Sequence, residues 1–361
     1  MFPIYRTIKV YGFYYYSIVV GLYYNLGIIY YIIYNKFPSF SLFLFSFIIV
    51  TLYYLFSLYC LFKKYNIYKF LYIKYFHFFG LIFYLSLYSV FFFPIYKFTN
   101  YSKQVYFLIY TLPSLINVIF GLINERLLYA DKYKIKIKGM KKQIKLIHLS
   151  DLHLGAAYGK SEVEKIINMI INEKADLVVI TGDIIDGNML LEKDMLEPFS
   201  KLKIPIYYVT GNHEYYGDYE QAIGIINELD YIKYLKNEVV IFNDCINIIG
   251  KEYDFNIEKA KKDINELIPK NNLPNILLYH SPIYDLEDLP DLNINLFLCG
   301  HLHGGQMFPY DFIKHMIYYK RSKGLFSLFN NYYMYLVSGT GTSVPLLRTM
   351  ASPNFGVFTI Y

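Results

Sequence analysis

The stretch LFLCGHLHGGQMF, residues 296–308, sets His301 and His303 one residue apart, with Gly300 before them and Gly304 and Gly305 after. Two imidazoles at that spacing can act as metal ligands from a single tight turn, and glycine lets such a turn come close to what it binds. Residues of the same chemistry recur through the second part of the chain. LSDLHLG supplies Asp151 and His153, VITGDIID supplies Asp183, VTGNHEYY supplies Asn212 and His213, and LLYHSP supplies His280. Five of the eight histidines fall at these stations, which a random scatter over helices and surface loops would not produce. Two carboxylates, one amide oxygen and even four of the five imidazoles are too many for one catalytic zinc, which takes three protein ligands and a water. They suit two divalent ions about 3.5–4 Å apart, bridged by one carboxylate and a water. Oxygen and nitrogen donors without thiolate favour Mn²⁺, Fe or Zn²⁺ over Ca²⁺. Cys299 adjoins a station but is expected to face the core.

Each station follows an apolar run that reads as a strand. YKIKIK (133–138) alternates with period two, and IKLIHLS (144–150), LVVIT (177–181), IPIYYVT (204–210), NILLYH (275–280) and INLFLC (294–299) read as buried strands. Helical stretches lie between several of them: SEVEKIINMIINEK, with SEVE at 161–164 as a capping box, then 218–229 and 258–268. This alternation implies an α/β domain of about 220 residues. In such domains ligands bind beyond the carboxyl ends of the strands, where the stations converge.

The first third is a different kind of chain. Residues 1–124 contain no Asp or Glu and nine Lys or Arg, leaving 26 basic and all 29 acidic residues to the remainder. The net charge of +6 therefore belongs to the first part and is no nucleic-acid footprint. Four uncharged apolar runs, at about 11–34, 39–62, 75–96 and 104–123, each reach the roughly 20 residues that cross a bilayer. Arg6, Lys9, Lys63, Lys64, Lys69, Lys74, Arg126, Lys132, Lys134, Lys136, Lys138, Lys141 and Lys142 lie on one side, against Lys36, Lys97 and Lys103 on the other. The positive-inside rule puts the larger set, and everything after residue 124, in the cytoplasm. His77 in the third run is expected at an interface. Three cysteines without a pairable pattern fit a reducing compartment.

The ordered set D-x-H, G-D, G-N-H-E, H and G-H-x-H, over about 145–361, resembles the calcineurin-like metallophosphoesterases. The resemblance implies a four-layer αββα sandwich, here preceded by an all-α membrane domain of four transmembrane helices. The expected division is 1–124 for the membrane domain, 125–143 for a tether and first strand, and 144–361 for the catalytic domain. By resemblance, Asp151, His153 and His303 bind one metal, Asp183 bridges, and Asn212, His280 and His301 bind a second. His213 is then no ligand; it stabilises the transition state or protonates the leaving oxygen. Asp176 and Asp186 match no metal position. Leu302 stands where the family commonly has Thr. GHLHGGQMFP followed by VSGTGTSVPLLRTMASPNF is similar to the membrane-anchored bacterial branch, which includes phosphodiesterases and enzymes that cleave the pyrophosphate of UDP-2,3-diacylglucosamine. Pro353-Asn354-Phe355 replaces that branch's usual Pro-Glu-Ile, and Arg348 is a candidate contact for an anionic substrate.

The expected activity is phosphodiester or pyrophosphate hydrolysis with two Mn, Fe or Zn ions, by an integral protein of the inner membrane acting on a phosphoester, lipid-linked or not. No pattern points to a protein partner. Residues 310–335 mix Lys314, Lys320, Arg321 and Lys323 with aromatics, as a segment touching a membrane surface would. Three rivals stand beside this reading. The first is an anchored phosphatase or phosphodiesterase for soluble nucleotides. The second is a non-catalytic scaffold, which the complete ligand set disfavours. The third is a transporter, which four spans without an acidic residue disfavour.

Overall fold

The computed structural model describes residues 2–36, 39–62, 67–99, 101–187, 191–284, 293–309, 316, 322–329 and 332–361. Lys63, Lys64, Lys314, Lys320 and Arg321 lie outside them. The chain divides into two units: Pro3–Glu125 with Val344–Thr349, and Arg126–Ser343 with Met350–Tyr361.

The first unit is built on α1 (Phe2–Tyr34), α2 (Phe40–Phe62), α3 (Ile67–Phe98) and α4 (Lys103–Asn124). All four are long and apolar enough to cross a membrane. α1 and α3 begin nine and eight residues before their apolar runs, because a lysine or arginine is excluded from hydrocarbon but not from a helix. Small and polar side chains join the helices. A Cβ on Gly21 would stand 2.5 Å from Ile82, Asn25 donates to Ser86 Oγ at 2.9 Å and receives from the Tyr110 hydroxyl, and Asn117 donates to Tyr88 Oη at 2.6 Å. Val344–Thr349 packs among them. Arg348 N donates to Gly121 O at 3.2 Å, Asn124 Nδ2 donates to Arg348 O at 2.9 Å, and Tyr84 Oη lies 2.5 Å from Thr349 Oγ1.

Among the described residues, the second unit has twelve strands in two six-stranded sheets. The first contains β1 (Tyr129–Ile135), β2 (Ile144–Leu149), β3 (Leu177–Thr181), β4 (Ile206–Val209), β5 (Lys233–Tyr234) and, at the end of the chain, the twelfth strand, Asn354–Ile360, in the order β1, twelfth, β2, β3, β4, β5. The second contains β6 (Glu238–Phe242), β7 (Ile246–Gly250), β8 (Asn275–Leu278), β9 (Leu296–Cys299), β10 (Gly324–Phe329) and β11 (Tyr332–Leu336), in the order β10-β11-β9-β8-β7-β6. β2 to β5 run parallel, as do β7, β8, β9 and β11, so the carboxyl ends within each set share an edge.

Three apolar layers define the sandwich. Leu146, Val179, Ile248, Leu278 and Leu298 meet between the sheets. α5 (Lys160–Glu173), α6 (Lys193–Leu196), the short α7 (Asn212–Tyr216) and α8 (Tyr219–Asn227) come from the first half of this unit. Val163, Ile167, Leu196 and Ile226 of α5, α6 and α8 cover the outer face of the first sheet. Ala260 and Ile264 of α9 (Ile257–Leu267) cover the outer face of the second. This is the expected four-layer αββα arrangement.

The structure departs from the sequence reading in two places. The strand expected at 133–138 runs 129–135, because its partner, the twelfth strand (β12), ends at Ile360 opposite Ile135. α5 starts at Lys160, and Glu162 reaches back to Gly159 N at 3.0 Å, so the capping contact sits two residues before the expected box and Ser161 lies inside the helix.

Candidate metal centre

β2, β3, β4, β8 and β9 each end in a turn that carries one of the polar stations, and backbone bonds tie the turns together. Asp151 N donates to Gly182 O and His153 N to Asp183 O, both at 3.0 Å, while Gly300 N donates to His280 O at 2.9 Å. Asp151, His153, Asp183, His301 and His303 all have φ between 49° and 74°. Non-glycine residues adopt the left-handed region at a cost of roughly 1–2 kcal/mol each, so five together mark a place where side-chain direction outweighs backbone comfort. Glycines admit the approach. A Cβ on Gly211 would lie 2.2 Å from Asp183 Oδ1, and one on Gly300 would lie 2.2 Å from Asp151 Oδ2.

The side chains form linked clusters. Asp151, His153 and His303 converge, as do His153, Asp183 and His213, and as do Asp183, His280 and His301. His153 Nε2 lies 3.0 Å from His303 Nε2, which lies 3.3 Å from Asp151 Oδ1. On the other side, His280 Nε2 is 3.2 Å from Asp183 Oδ2, 3.0 Å from Asn212 Oδ1 and 3.2 Å from His301 Nδ1. His301 Nδ1 is 2.8 Å from the same Asn212 oxygen.

Tautomers test whether these residues fit a cation. His280 Nδ1 lies 2.7 Å from Thr181 O, an atom that can only accept, so Nδ1 carries the proton. In the neutral ring Nε2 is then a lone pair, aimed at a carboxylate oxygen, and Asn212 Oδ1 and a second imidazole nitrogen complete the set. Electron pairs converging in a buried space fit a divalent cation, and the oxygen and nitrogen donors agree with that. Burial pushes the Cys299 thiol well up, and its Sγ donates to Tyr335 O at 3.4 Å, so it sits in the core as expected.

Burial alone would raise the Asp151 and Asp183 carboxyls, but the neighbouring imidazoles, His303 for Asp151 and His280 for Asp183, hold both below the usual range. Burial would likewise lower His280, yet Asp183 carries it up to about 9. His213 is lowered, chiefly by burial. Its Nδ1 donates to Asp186 O at 2.9 Å and its backbone N–H donates to Asp183 Oδ1 at 2.8 Å, leaving Nε2 on the Asp183 side.

Supporting residues escaped the sequence reading. Asp186 Oδ1 stands 3.3 Å from His153 Nδ1, orienting that ring while its own carbonyl orients His213. Glu214, fully buried, accepts from Gly211 N at 2.6 Å, Asp183 N at 3.0 Å and Ile184 N at 2.7 Å, clamping two of the turns; burial and Asp183 push its carboxyl up to about 7. Thr340 N and Gly341 N donate to Ser150 O and Asp151 O, both at 2.8 Å. The one available signal was Glu214 in G-N-H-E, three residues after Gly211, the spacing of a capping contact. Arg348 is buried in the unit of four helices.

Residues 144–305 match the sequence model of the calcineurin-like phosphoesterases. The chain is 32% identical over 202 residues to an uncharacterized metallophosphoesterase of Helicobacter pylori strain J99, covering 53% of this chain and 51% of the relative. It is 30% identical over 188 residues to the uncharacterized metallophosphoesterase YkoQ of Bacillus subtilis strain 168, covering 48% of this chain and 67% of the relative. A transmembrane protein with metallophosphoesterase domain from Bos taurus is 28% identical over 223 residues, covering 55% of this chain and 48% of the relative. The chain thus spans about half the length of the Helicobacter and bovine proteins. With the ordered stations, the αββα sandwich and this likeness together, the chain belongs to the calcineurin-like phosphoesterase family.

Proposed function

We propose that the protein is a membrane-anchored phosphoesterase with two divalent ions, hydrolysing phosphodiester or pyrophosphate bonds of a substrate presented at the bilayer. The observation that carries this reading is the meeting of donor clusters at Asp183: His153 and His213 on one side, His280 and His301 on the other. In this reading Asp151, His153 and His303 hold one ion, Asn212, His280 and His301 hold the second, and Asp183 bridges. Divalent ions held there would lower the pKa of a water from 15.7 toward roughly 7 and neutralise phosphoryl oxygens.

The chain's own groups divide the remaining work. Asp186 and Glu214 fix ring and turn geometry, so the donors are in place before substrate arrives. His213, held at Nδ1 by the Asp186 carbonyl, turns Nε2 to the site. An arriving phosphoryl group adds negative charge beside that ring and favours its protonated form. Protonated, Nε2 donates to the leaving oxygen as charge develops there.

Four apolar helices and the bovine relative's transmembrane designation support the anchoring. The basic residues after α4 support a cytoplasmic catalytic unit. Purified full-length protein should hydrolyse a phosphodiester in Mn²⁺. A lipid pyrophosphate should outcompete soluble nucleotides as substrate; preference for the nucleotides would overturn the bilayer-presented part of the reading.

A further inference from the structure

Within the unit of four helices, Ile18 of α1, Ile49, Val50 and Tyr53 of α2, and Lys74, Tyr75 and Phe78 of α3 line a cavity of about 260 Å³. Its walls are almost wholly apolar, Lys74 contributing its alkyl stem. The Tyr53 hydroxyl is turned away, donating to Leu71 O at 2.7 Å, and the Tyr53 and Tyr75 rings stack 6.0 Å apart. Ile49 and Phe78 are exposed at its mouth, while Ile18, Val50 and Tyr75 are buried behind them. Lys74 is exposed, with Nζ 5.5 Å from the centroid of the Phe70 ring.

Depth fixes what such a site meets. The uncharged part of α3 runs from residue 75 to residue 96, and at about 1.5 Å per residue its 22 residues nearly match a hydrocarbon core of about 30 Å. Lys74 therefore stands at the edge of the hydrocarbon, level with the phosphates, and Phe78 lies one turn deeper. A cation at phosphate level above an apolar cleft is complementary to an amphiphile with an anionic head and a hydrocarbon chain. Soluble phosphate matches only the head, and a zwitterionic lipid brings a second charge that Lys74 repels.

From this geometry we propose that the α1–α2–α3 cleft is a binding site for one anionic glycerophospholipid. Its phosphate pairs with Lys74, and an acyl chain lies along Ile18, Ile49, Val50 and Phe78. The site lies within the unit of four helices.

The chain contains no tryptophan, so Phe78→Trp in the full-length protein gives a single reporter in the cleft. Quenching by brominated phosphatidylglycerol is compared with quenching by brominated phosphatidylcholine in mixed vesicles, with Ile119→Trp on exposed α4 as the reference reporter. The expected result is an apparent affinity about fivefold higher for phosphatidylglycerol at residue 78. The preference should be absent at residue 119, lost when Lys74→Gln is added, and restored by Lys74→Arg. Glycerol phosphate in solution should not relieve the quenching. Equal quenching by the two lipids at residue 78, a preference that survives Lys74→Gln, or relief by glycerol phosphate would each overturn the proposal.

Discussion

His153 and His303, 150 positions apart in sequence, bring their Nε2 atoms to 3.0 Å. Two neutral imidazoles cannot both donate across that gap. The contact is held from behind, since Asp186 braces His153 at Nδ1 and the turn of His303 is fastened through His301 N to the Asp151 carboxylate at 3.2 Å. A shared proton or a cation resolves such a pair, and the Asp151 carboxylate oxygen 3.3 Å from His303 Nε2 favours the cation.

Asp186 is expected to matter although it matches no metal position in the sequence. Replacing it with Asn removes the charge facing His153 Nδ1 while keeping the backbone carbonyl that orients His213. Metal affinity should fall about 10–100-fold, the usual cost of losing a group behind a ligand. Competition with a metal-sensitive dye would measure this; unchanged affinity would show that His153 is positioned without it.

His213→Ala should lower turnover by about 10²–10⁴-fold with metal content retained. Elemental analysis beside the kinetic assay separates this outcome from the alternative, in which metal is lost in proportion and His213 is itself a ligand.

Gly300→Ala should abolish metal binding, because its Cβ would enter the space of Asp151 Oδ2 and Ser150 Oγ, each 2.2 Å away. Gly159→Ala serves as the comparison, since nothing lies within 4 Å of a Cβ there. If the two variants retain metal equally, the close approach at Gly300 is not what shapes the site.

The metal-free protein should show a pH dependence that metal removes. His280 is raised to about 9, above its unfolded value, by Asp183 acting against burial. Its contribution to folding is therefore complete below about pH 6.5 and is lost as pH rises through 9. Metal needs the neutral ring and displaces that proton, so metal affinity should climb over the same window. Thermal melts with and without chelator from pH 6 to 9.5 would reveal the divergence, and parallel curves would contradict it.

Much of the centre was legible because strand-end chemistry leaves a linear trace: an apolar run, then Asp, His or Asn in a glycine-containing turn. The residues that brace it leave less. Asp186 acts through space on His153 from the turn after β3, and nothing in GDIID separates it from a solvated acid. The twelfth strand, NFGVFTI, is interrupted by Gly356 and takes its order from β1 on one side and β2 on the other. The β6–β7 hairpin carried a usable signal, since Asn243 and Asp244 both adopt positive φ between two β-branched runs. The four helices were plain from uncharged length, but their first turns were not, because charge marks where hydrocarbon ends and helices continue past it.

The most direct test of the central claim is the metal content of purified full-length protein, measured together with hydrolysis of bis(p-nitrophenyl) phosphate in Mn²⁺. Two ions per chain and diester cleavage are expected, both lost in Asp183→Ala. A single ion per chain, or two ions that survive Asp183→Ala, would contradict a centre bridged by that carboxylate.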